Sequence, residues 1–330
     1  MTRRRVTVVS TVESRRALGP LIDAYGAHHD VTICPSGGRT VPGPDDLTDI
    51  ADHADAIVVA GWRSRSPRTV LPGPVVTASD GRMVPAGWLP DVGPEGLTRF
   101  AHSAATVHAR RAISQGCTTA VLGSRIARYE DLARRIERLI GHDDPDASHR
   151  WTAGDQLMED ALAGLDAGPA AVVYVGHGRP VGWAGYRGVR AEHLLDVRRP
   201  SAFVMSFTCL TASRRRVGLS FAEQIVLQGS TSACLGAVTP TDHQWNGRWA
   251  YRMCRSLADA RTVGDLVVAA RPASETSPYR LIGDPLAPLL DAPGAREEMI
   301  RHTTRHRHLA ARAERETAAP SDHRPQEQIA

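Results

Sequence analysis

The sequence predicts an α/β protein in which helices cover both faces of a mostly parallel sheet. Short apolar, β-branched runs alternate with amphipathic segments of helical spacing over most of the 330 residues. This alternation is typical of parallel sheets. Some runs, such as Ala56–Ala60 and Ala170–Val175, are apolar at almost every position, as expected of strands that are buried on both faces.

Residues 1–95 are predicted to form a small α/β subdomain, and residues 96–114 a connecting helix. Strands are expected at Arg5–Ser10, Val31–Cys34, Ala56–Ala60 and Val75–Ala78, and helices at Ser14–Ala27, Pro44–His53 and Phe100–Ile113. Gly19-Pro20 is expected to delay the first of these helices, because proline does not fit a helix interior. The many proline and glycine residues between Trp62 and Gly96 predict loops.

Residues 115–290 are predicted to form a second, larger α/β domain, and residues 291–330 a charged tail that is partly disordered. The strands of this larger domain are expected at Thr118–Leu122, His149–Trp151, Ala170–Val175, Ala202–Phe207 and Ser232–Val238. Its helices are expected at Tyr129–Ile140, Gln156–Leu165, Leu219–Gln228, Trp245–Leu257 and Thr262–Ala270, followed by a turn at Leu281–Pro285.

Composition narrows the class of protein. Hydrophobic residues make up 42% and charged residues 23%, which predicts a globular protein and excludes a collagen-like or coiled-coil chain. No stretch reaches the roughly 18 apolar residues of a membrane-spanning helix. The apolar run Val6–Val9 is too short for a signal-peptide core, so we expect a cytoplasmic protein that does not bind membranes.

Charge and cysteine spacing predict neither a nucleic-acid partner nor a cofactor. The net charge is +4, all 40 basic residues are arginine, and they are dispersed along the chain. The five cysteines include no Cys-x-x-Cys pair, so no disulfide framework or zinc site is expected. The histidines in Arg301–His308 are interpreted as part of a solvated basic segment, and no metal site is predicted.

Two strands deliver reactive residues at their carboxyl ends. His177 follows Ala170–Val175 and Cys209 follows Ala202–Phe207. The chain between them is long enough for one crossover between parallel strands, so both side chains can face one cleft. An imidazole that removes the thiol proton makes cysteine a nucleophile. The amides of Gly178 and Cys209 can then bind an oxyanion. Taken singly, Gly-His-Gly is also typical of a tight turn, and a lone cysteine of a small buried residue.

Further short motifs follow this pair in order. Trp183 comes shortly after His177, and Ser220–Glu223 reads Ser-Phe-Ala-Glu. They are followed by Gly236-Ala237-Val238, by Thr241-Asp242-His243-Gln244-Trp245 and by Leu281-Ile282-Gly283-Asp284-Pro285. Over about residues 118–290 this order resembles the caspase-fold cysteine peptidases of clan CD, in particular the gingipain-type family C25 and the related CHAT domains. Unlike many caspase-fold enzymes, the chain has Phe207-Thr208 rather than an alanine before its cysteine.

The resemblance implies a caspase-like, doubly wound domain preceded by a smaller α/β subdomain. It also implies a cysteine endopeptidase that acts on a protein or peptide through an acyl-enzyme. Its expected location inside the cell comes from the short Val6–Val9 run and not from the resemblance. Cys209 would be the nucleophile, His177 the general base and acid, and Gly178 and Cys209 the oxyanion donors. Trp245 would flank the specificity pocket. The sequence leaves open two alternatives: a non-catalytic caspase-fold scaffold that binds a partner protein, and a nucleotide- or metabolite-binding protein.

The charge of the preferred substrate stays open at this stage, as does the oligomeric state. Arg214–Arg216, Arg179 and Arg187 follow the two reactive residues and would attract an acidic side chain. Asp242 lies beside Trp245 and would instead pair with a basic one. The predicted substrate-binding residues are Trp245, Asp242, Trp183 and Arg214. Asp155 and Glu159 are weak candidates for a carboxylate that orients His177.

Overall fold

One eleven-stranded sheet runs through the part of the chain described by this computed structural model. The described residues are 3–36, 42–62, 73–90, 92–114, 116–153, 156–271 and 277–302. The strands of the sheet are β1 (Arg5–Ser10), β2 (Asp30–Pro35), β3 (Ala56–Trp62), β4 (Val75–Thr77), β5 (Met83–Pro90), β6 (Thr119–Gly123), β7 (Ser148–Thr152), β8 (Ala171–Val175), β12 (Ser201–Phe207), β13 (Thr231–Ala237) and β14 (Tyr279–Gly283). Two-residue strands β9 (Gly178–Arg179), β10 (Gly182–Trp183) and β11 (Val189–Arg190) form a separate small sheet.

Helices fill the connections between these strands. They are α1 (Val12–Ala17), α2 (Gly19–Gly26), α3 (Pro44–His53), α4 (Pro94–Ala109), α5 (Ala127–Ile140), α6 (Met158–Asp166), α7 (Phe221–Leu227), α8 (His243–Arg255) and α9 (Val263–Ala270). Most bounds lie within a few residues of those predicted. The predicted helix Ser14–Ala27 is two helices, which meet at Leu18, directly before Gly19-Pro20.

The strand order is β2-β1-β3-β5-β14-β13-β12-β8-β6-β7, with β4 paired to β5. Neighbours in this order run parallel except β13 and β14, which are antiparallel. The sheet is therefore mostly parallel, as predicted. The antiparallel pair reverses the strand direction, so the carboxyl ends of β1, β3 and β5 lie at the edge opposite to those of β8 and β12.

Two apolar layers cover the two faces of the sheet. Alternate residues of β8 enter different layers: Val172 packs with α4, α6 and α7, whereas Val173 packs with α5, α8 and α9. Every residue of β8, β12 and β13 is buried. This is the pattern expected of central strands that are covered on both faces.

Strand β5 corrects the expectation that the region between Trp62 and Gly96 consists of loops. Met83–Pro90 lies in the middle of the sheet, between β3 and β14, and is buried from Val84 onwards. Gly87 explains how it fits. A β-carbon there would lie 2.1 Å from the Gly283 carbonyl oxygen, so a glycine is needed for β5 and β14 to meet.

The end of the described chain also differs from expectation. Leu281–Pro285, predicted as a turn, contributes its first residues to β14 and turns only after Gly283. The start of the predicted tail packs into the core: the Asp291 carboxylate accepts hydrogen bonds from the Thr118 and Ala170 amides, and Met299 is fully buried. Residues 303–330 lie outside the described residues.

The sheet is continuous from the first region into the second, and the domain boundaries at 95, 114 and 290 stay a prediction. Among the residues that the structure describes, none of the helices has the length and apolar content needed to cross a bilayer.

Candidate active site

Strands β8 and β12 bring His177 and Cys209 to the same edge of the sheet. The two strands are neighbours and parallel, with Ser206 opposite Tyr174 and Phe207 opposite Val175. His177 follows Val175 by two residues, and Cys209 follows Phe207 by two residues. Because adjacent strands lie roughly 4.8 Å apart, equal extension beyond a paired position keeps the two segments side by side.

The two strand ends touch at Gly178. A β-carbon on Gly178 would lie 2.4 Å from Thr208 Oγ1 and 2.6 Å from the Cys209 carbonyl oxygen. The chain turns sharply on the Cys209 side: the Thr208 amide donates to the Ser206 carbonyl at 3.0 Å, and Leu210 has a φ of 64°. The His177 and Cys209 segments can therefore approach this closely only because residue 178 has no side chain.

The Cys209 thiol is partly buried and faces Thr241, at the end of the loop after β13. Its Sγ donates to the Thr241 carbonyl oxygen at 3.2 Å and accepts from the Thr241 amide at 3.3 Å. The Thr241 amide therefore supplies a hydrogen-bond donor directed at the sulfur. Burial raises the pKa values of three other cysteines, to about 12 for Cys117 and Cys254 and also upward for Cys234.

The His177 backbone is fixed, although its side chain is exposed. Its carbonyl oxygen accepts hydrogen bonds from the Tyr174 hydroxyl at 3.0 Å and from the Ala184 amide at 2.9 Å. Burial raises the pKa of Tyr174, which keeps that hydroxyl protonated as a donor. The backbone from which the imidazole projects is therefore held by Tyr174 in β8 and by Ala184, directly after β10.

The described neighbours of the His177 imidazole include an aromatic ring. The Tyr129 ring lies edge-on to His177, with centroids 5.3 Å apart, and makes the same contact at 5.3 Å with His243. Among the described residues, no carboxylate lies within ion-pair distance of His177. Glu159 is exposed on α6, and Asp155 lies outside the described residues.

Tyr129 and His243 were not identified as site residues from the sequence. Tyr129 was assigned to the start of an amphipathic helix, and it does belong to α5, where it is buried. His243 lies within the Thr241–Trp245 run that the resemblance singled out, two residues after the partner of Cys209. That proximity was the signal that could have identified His243 as a site residue. Tyr129 had no such signal, because a tertiary contact between α5 and α8 leaves no local pattern in the sequence.

Two predicted substrate-binding residues, Trp183 and Arg214, have partners inside the fold, and their substrate-binding roles stay predictions. Trp183 is 2% exposed, stacks on Tyr174 with centroids 4.6 Å apart, and donates from Nε1 to Ser206 Oγ at 2.8 Å. It is therefore a core residue under the strand ends. Arg214 forms a bidentate ion pair with the buried Glu223 carboxylate, with its Nε at 2.9 Å and its nearest Nη at 2.7 Å. That pairing engages its guanidinium inside the fold.

Asp242 and Trp245 lie at the start of α8, near the thiol. Asp242 is exposed and caps the helix, with its Oδ1 accepting from the Trp245 amide at 2.7 Å. Trp245 is partly buried and packs on the core layer of α5 and α8. Nearby, burial, and then the charges of Cys209 and Asp242, raise the pKa of Tyr279. The substrate-binding roles of Asp242 and Trp245 stay predictions.

The mostly parallel sheet, its two helical layers and the paired strand ends define a caspase-fold protein of the clan CD type. The sequence profile of peptidase family C25 matches residues 112–290, more than half of the chain. The chain therefore belongs to peptidase family C25, and the resemblance stated from its motifs is confirmed. No curated protein sequence matches it.

Solved structures support the same fold. Gingipain R, an Arg-specific cysteine proteinase, aligns with a TM-score of 0.66 at 13% identity, over 87% of this chain and 78% of its own. A structure described as a protease gives 0.67 at 13% identity, over 87% and 79%. The complex of the pro- and mature domains of RgpB from Porphyromonas gingivalis gives 0.63 at 13% identity, over 86% and 79%. At this identity the likeness establishes the fold.

Proposed function

We propose that the protein is a cysteine endopeptidase in which Cys209 is the nucleophile and His177 the general base and acid. The observation that supports this is that both residues lie at one sheet edge, each two residues beyond the register partners Val175 and Phe207. Gly178 against the Cys209 carbonyl makes the two segments one continuous surface. Family membership supplies the class of chemistry.

The proposed reaction begins when His177 takes the proton of the Cys209 thiol, which then releases its bond to the Thr241 carbonyl. The thiolate attacks the peptide carbonyl carbon, and the carbonyl oxygen takes up the negative charge. The amides of Gly178 and Cys209 bind that oxyanion. His177 protonates the leaving amine, which departs with the C–N bond electrons and leaves a thioester on Cys209.

Hydrolysis of the thioester reverses these roles. His177 removes a proton from water, the resulting hydroxide attacks the thioester carbonyl, and the same two amides bind the second oxyanion. The C–S bond breaks, the carboxylic acid leaves, and the thiol is regenerated with the proton held by His177. The Thr241 amide at 3.3 Å stabilises the sulfur anion at both stages.

The accessibility of the thiol favours catalysis over the non-catalytic scaffold. A fully buried Cys209 would favour the scaffold, whereas Cys209 is partly exposed and His177 is exposed beside it. By contrast, Cys234 on the neighbouring strand is fully buried. The scaffold alternative predicts no covalent chemistry at Cys209, whereas the peptidase predicts an acyl-enzyme there, and labelling of Cys209 tests this difference directly.

We also propose that the peptidase acts inside the cell on a specific protein or peptide. All five cysteines are free thiols, which fits a reducing compartment. Fractionation of the producing cells tests the location, and enrichment of the protein outside the cytoplasm would contradict it.

The test of the proposed activity is labelling by a library of peptidyl acyloxymethyl ketones, with the modified residue read by mass spectrometry. The wild-type protein should be labelled on Cys209. The Cys209→Ala and His177→Ala variants should each lose labelling while their thermal unfolding curves stay close to that of the wild type. Cys34→Ala is the matched control, because its thiol lies outside the site and its removal should leave labelling unchanged.

Absence of labelling of the folded wild-type protein across the library would contradict the peptidase and favour the scaffold. Labelling that persists in His177→Ala would show a reactive thiol without its proposed base. Hydrolysis of the peptides matching the best probes completes the test.

A further inference from the structure

A cavity of about 470 Å³ opens on the side of β8 that faces away from β12, the strand that leads to Cys209. It lies where β6 and β7 end, and its lining includes Ser124, Arg125, Gln156, Glu159, Ala184 and Arg187. A cavity of this size is in the range of small-molecule and side-chain binding sites. Neither the proposed reaction nor the substrate-binding residues predicted from the sequence use it.

The cavity wall is bonded to the candidate base. The Ala184 amide donates to the His177 carbonyl oxygen at 2.9 Å, and the Ser124 amide donates to the Val175 carbonyl oxygen at 3.0 Å. Ser124 also contacts the chain directly before His177, because a β-carbon on Gly176 would lie 2.8 Å from the Ser124 β-carbon. The backbone around His177 is therefore continuous with the cavity wall.

The β10–β11 hairpin, which contributes Ala184–Arg187 to one wall, is held by hydrogen bonds of a buried tyrosine. The buried Tyr186 hydroxyl donates to the Trp151 carbonyl at 2.6 Å and accepts from the Gly123 amide at 3.2 Å. Tyr186 and Arg187 both have positive φ angles, 54° and 64°, which non-glycine residues adopt only when surrounding contacts hold them. These contacts fix the backbone from which the Arg187 side chain projects at the cavity.

Positive charge predominates among the described residues that line the cavity. Arg125 and Arg187 are both exposed, and neither forms an ion pair with another described residue. Glu159 is the one carboxylate of that described lining. Arg214, the other arginine considered for acidic specificity, is already engaged by Glu223.

We propose that this cavity binds an acidic side chain next to the scissile bond of the peptide substrate, with Arg125 and Arg187 holding its carboxylate. The inference rests on the proposed peptidase function, since it assigns the cavity to the same peptide. Guanidinium groups are suited to carboxylates because they donate two parallel hydrogen bonds as well as charge. Gln156 and Ser124 supply further polar groups at the same wall.

The test measures binding rather than turnover. The full-length Cys209→Ala protein is titrated with fluorescent hexapeptides that differ at one position, which carries Asp, Glu, Asn, Gln or Lys in turn. At low salt, acidic peptides should bind about tenfold more tightly than their amide counterparts at one position of the peptide. This preference should weaken as salt is raised.

Variants assign the preference to the cavity. Arg125→Gln and Arg187→Gln should each remove most of it, whereas Glu159→Gln should increase it. Arg134→Gln is the matched control: Arg134 is exposed on α5, pairs with Asp131 and lies outside the cavity lining. Thermal unfolding of each variant confirms that the fold is retained.

The outcomes separate this proposal from the proposed activity. Equal binding of acidic, amide and basic peptides, or an acidic preference that survives in both arginine variants, would overturn the cavity proposal. Acidic preference that depends on Arg125 and Arg187, without cleavage by the wild-type protein, would support the cavity and contradict the peptidase. Cleavage of neutral peptides with no acidic preference would support the peptidase and contradict the cavity proposal.

Discussion

Gly178 is the residue at which the candidate site leaves least room for a side chain. The Gly178→Ala substitution would place a methyl group within 2.6 Å of the Cys209 carbonyl oxygen and push the two strand ends apart. Since a displacement of about 1 Å can reduce catalysis roughly hundredfold, we expect a loss of that size in the rate of Cys209 labelling.

The labelling rate and the unfolding curve are measured together for this variant. Gly218→Ala is the control, because Gly218 lies in the loop that follows Cys209 and has no atom within 4 Å of an added β-carbon. An unchanged labelling rate in Gly178→Ala would show that the two segments separate without consequence.

Tyr129 is expected to act as a positioning residue through its ring. Tyr129→Phe keeps the edge-on contact with His177 and should leave labelling of Cys209 close to wild type. Tyr129→Leu removes a contact of the kind measured at about 0.5–1.5 kcal/mol, so the labelling rate should fall about two- to tenfold.

Recovery of the rate in the phenylalanine variant distinguishes positioning from chemistry at the hydroxyl group. If Tyr129→Phe were as slow as Tyr129→Leu, the hydroxyl and not the ring would be responsible. Unfolding curves show how far the leucine variant is destabilised, because Tyr129 is a buried residue.

At the scale of elements, β5 joins the two halves of the sheet. The Gly87→Ala substitution would set a β-carbon 2.1 Å from the Gly283 carbonyl oxygen and 2.8 Å from Pro285. We expect the free energy of unfolding to fall by about 3 kcal/mol, as in other overpacked cores, when measured by urea denaturation. Gly19→Ala, which meets no atom within 4 Å, should change it by less than about 1 kcal/mol. Equal effects of the two substitutions would refute this account of the contact between β5 and β14.

The sequence predicted the bounds of elements that have a local residue pattern. It did not predict features that depend on a partner elsewhere in the chain. β1 and α3 have the bounds predicted for them, because a β-branched run and a proline-initiated amphipathic helix are local signals. The region of β5 was predicted to be loops, since Pro85 and Gly87 weaken the strand pattern. Their place in a strand is explained only by pairing with β3 and β14, which the sequence does not show. In the site, His177 and Cys209 could be proposed from strand ends, whereas the engagement of Arg214 by Glu223 depends on packing.

Across the whole molecule, a buried histidine couples stability to pH. Burial, and then the nearby Arg111 and His108, lower the pKa of His29 to about 4. The unfolded chain binds this proton near pH 6.5. Between pH 6.5 and 4 the unfolded state therefore holds more protons, and the free energy of unfolding falls as the pH is lowered.

Urea denaturation at several pH values checks this coupling. His29→Gln should have a shallower loss of stability than wild type between pH 6.5 and 4, whereas His102→Gln, which changes an exposed histidine on α4, should keep the wild-type slope. Identical slopes in wild type and His29→Gln would show that another group is responsible.

The pairing of Trp88 in β5 with Ile282 in β14 has a consequence for biosynthesis. At about 5–20 residues per second, the ribosome makes Ile282 about 10–40 s after Trp88. During that interval the nascent chain contains β5 but not its neighbour β14. The edge of β5 that would pair with β14 is then unpaired, and an unpaired strand edge can pair with other chains. We therefore expect the chaperone requirement of this protein to be greatest before β14 is translated.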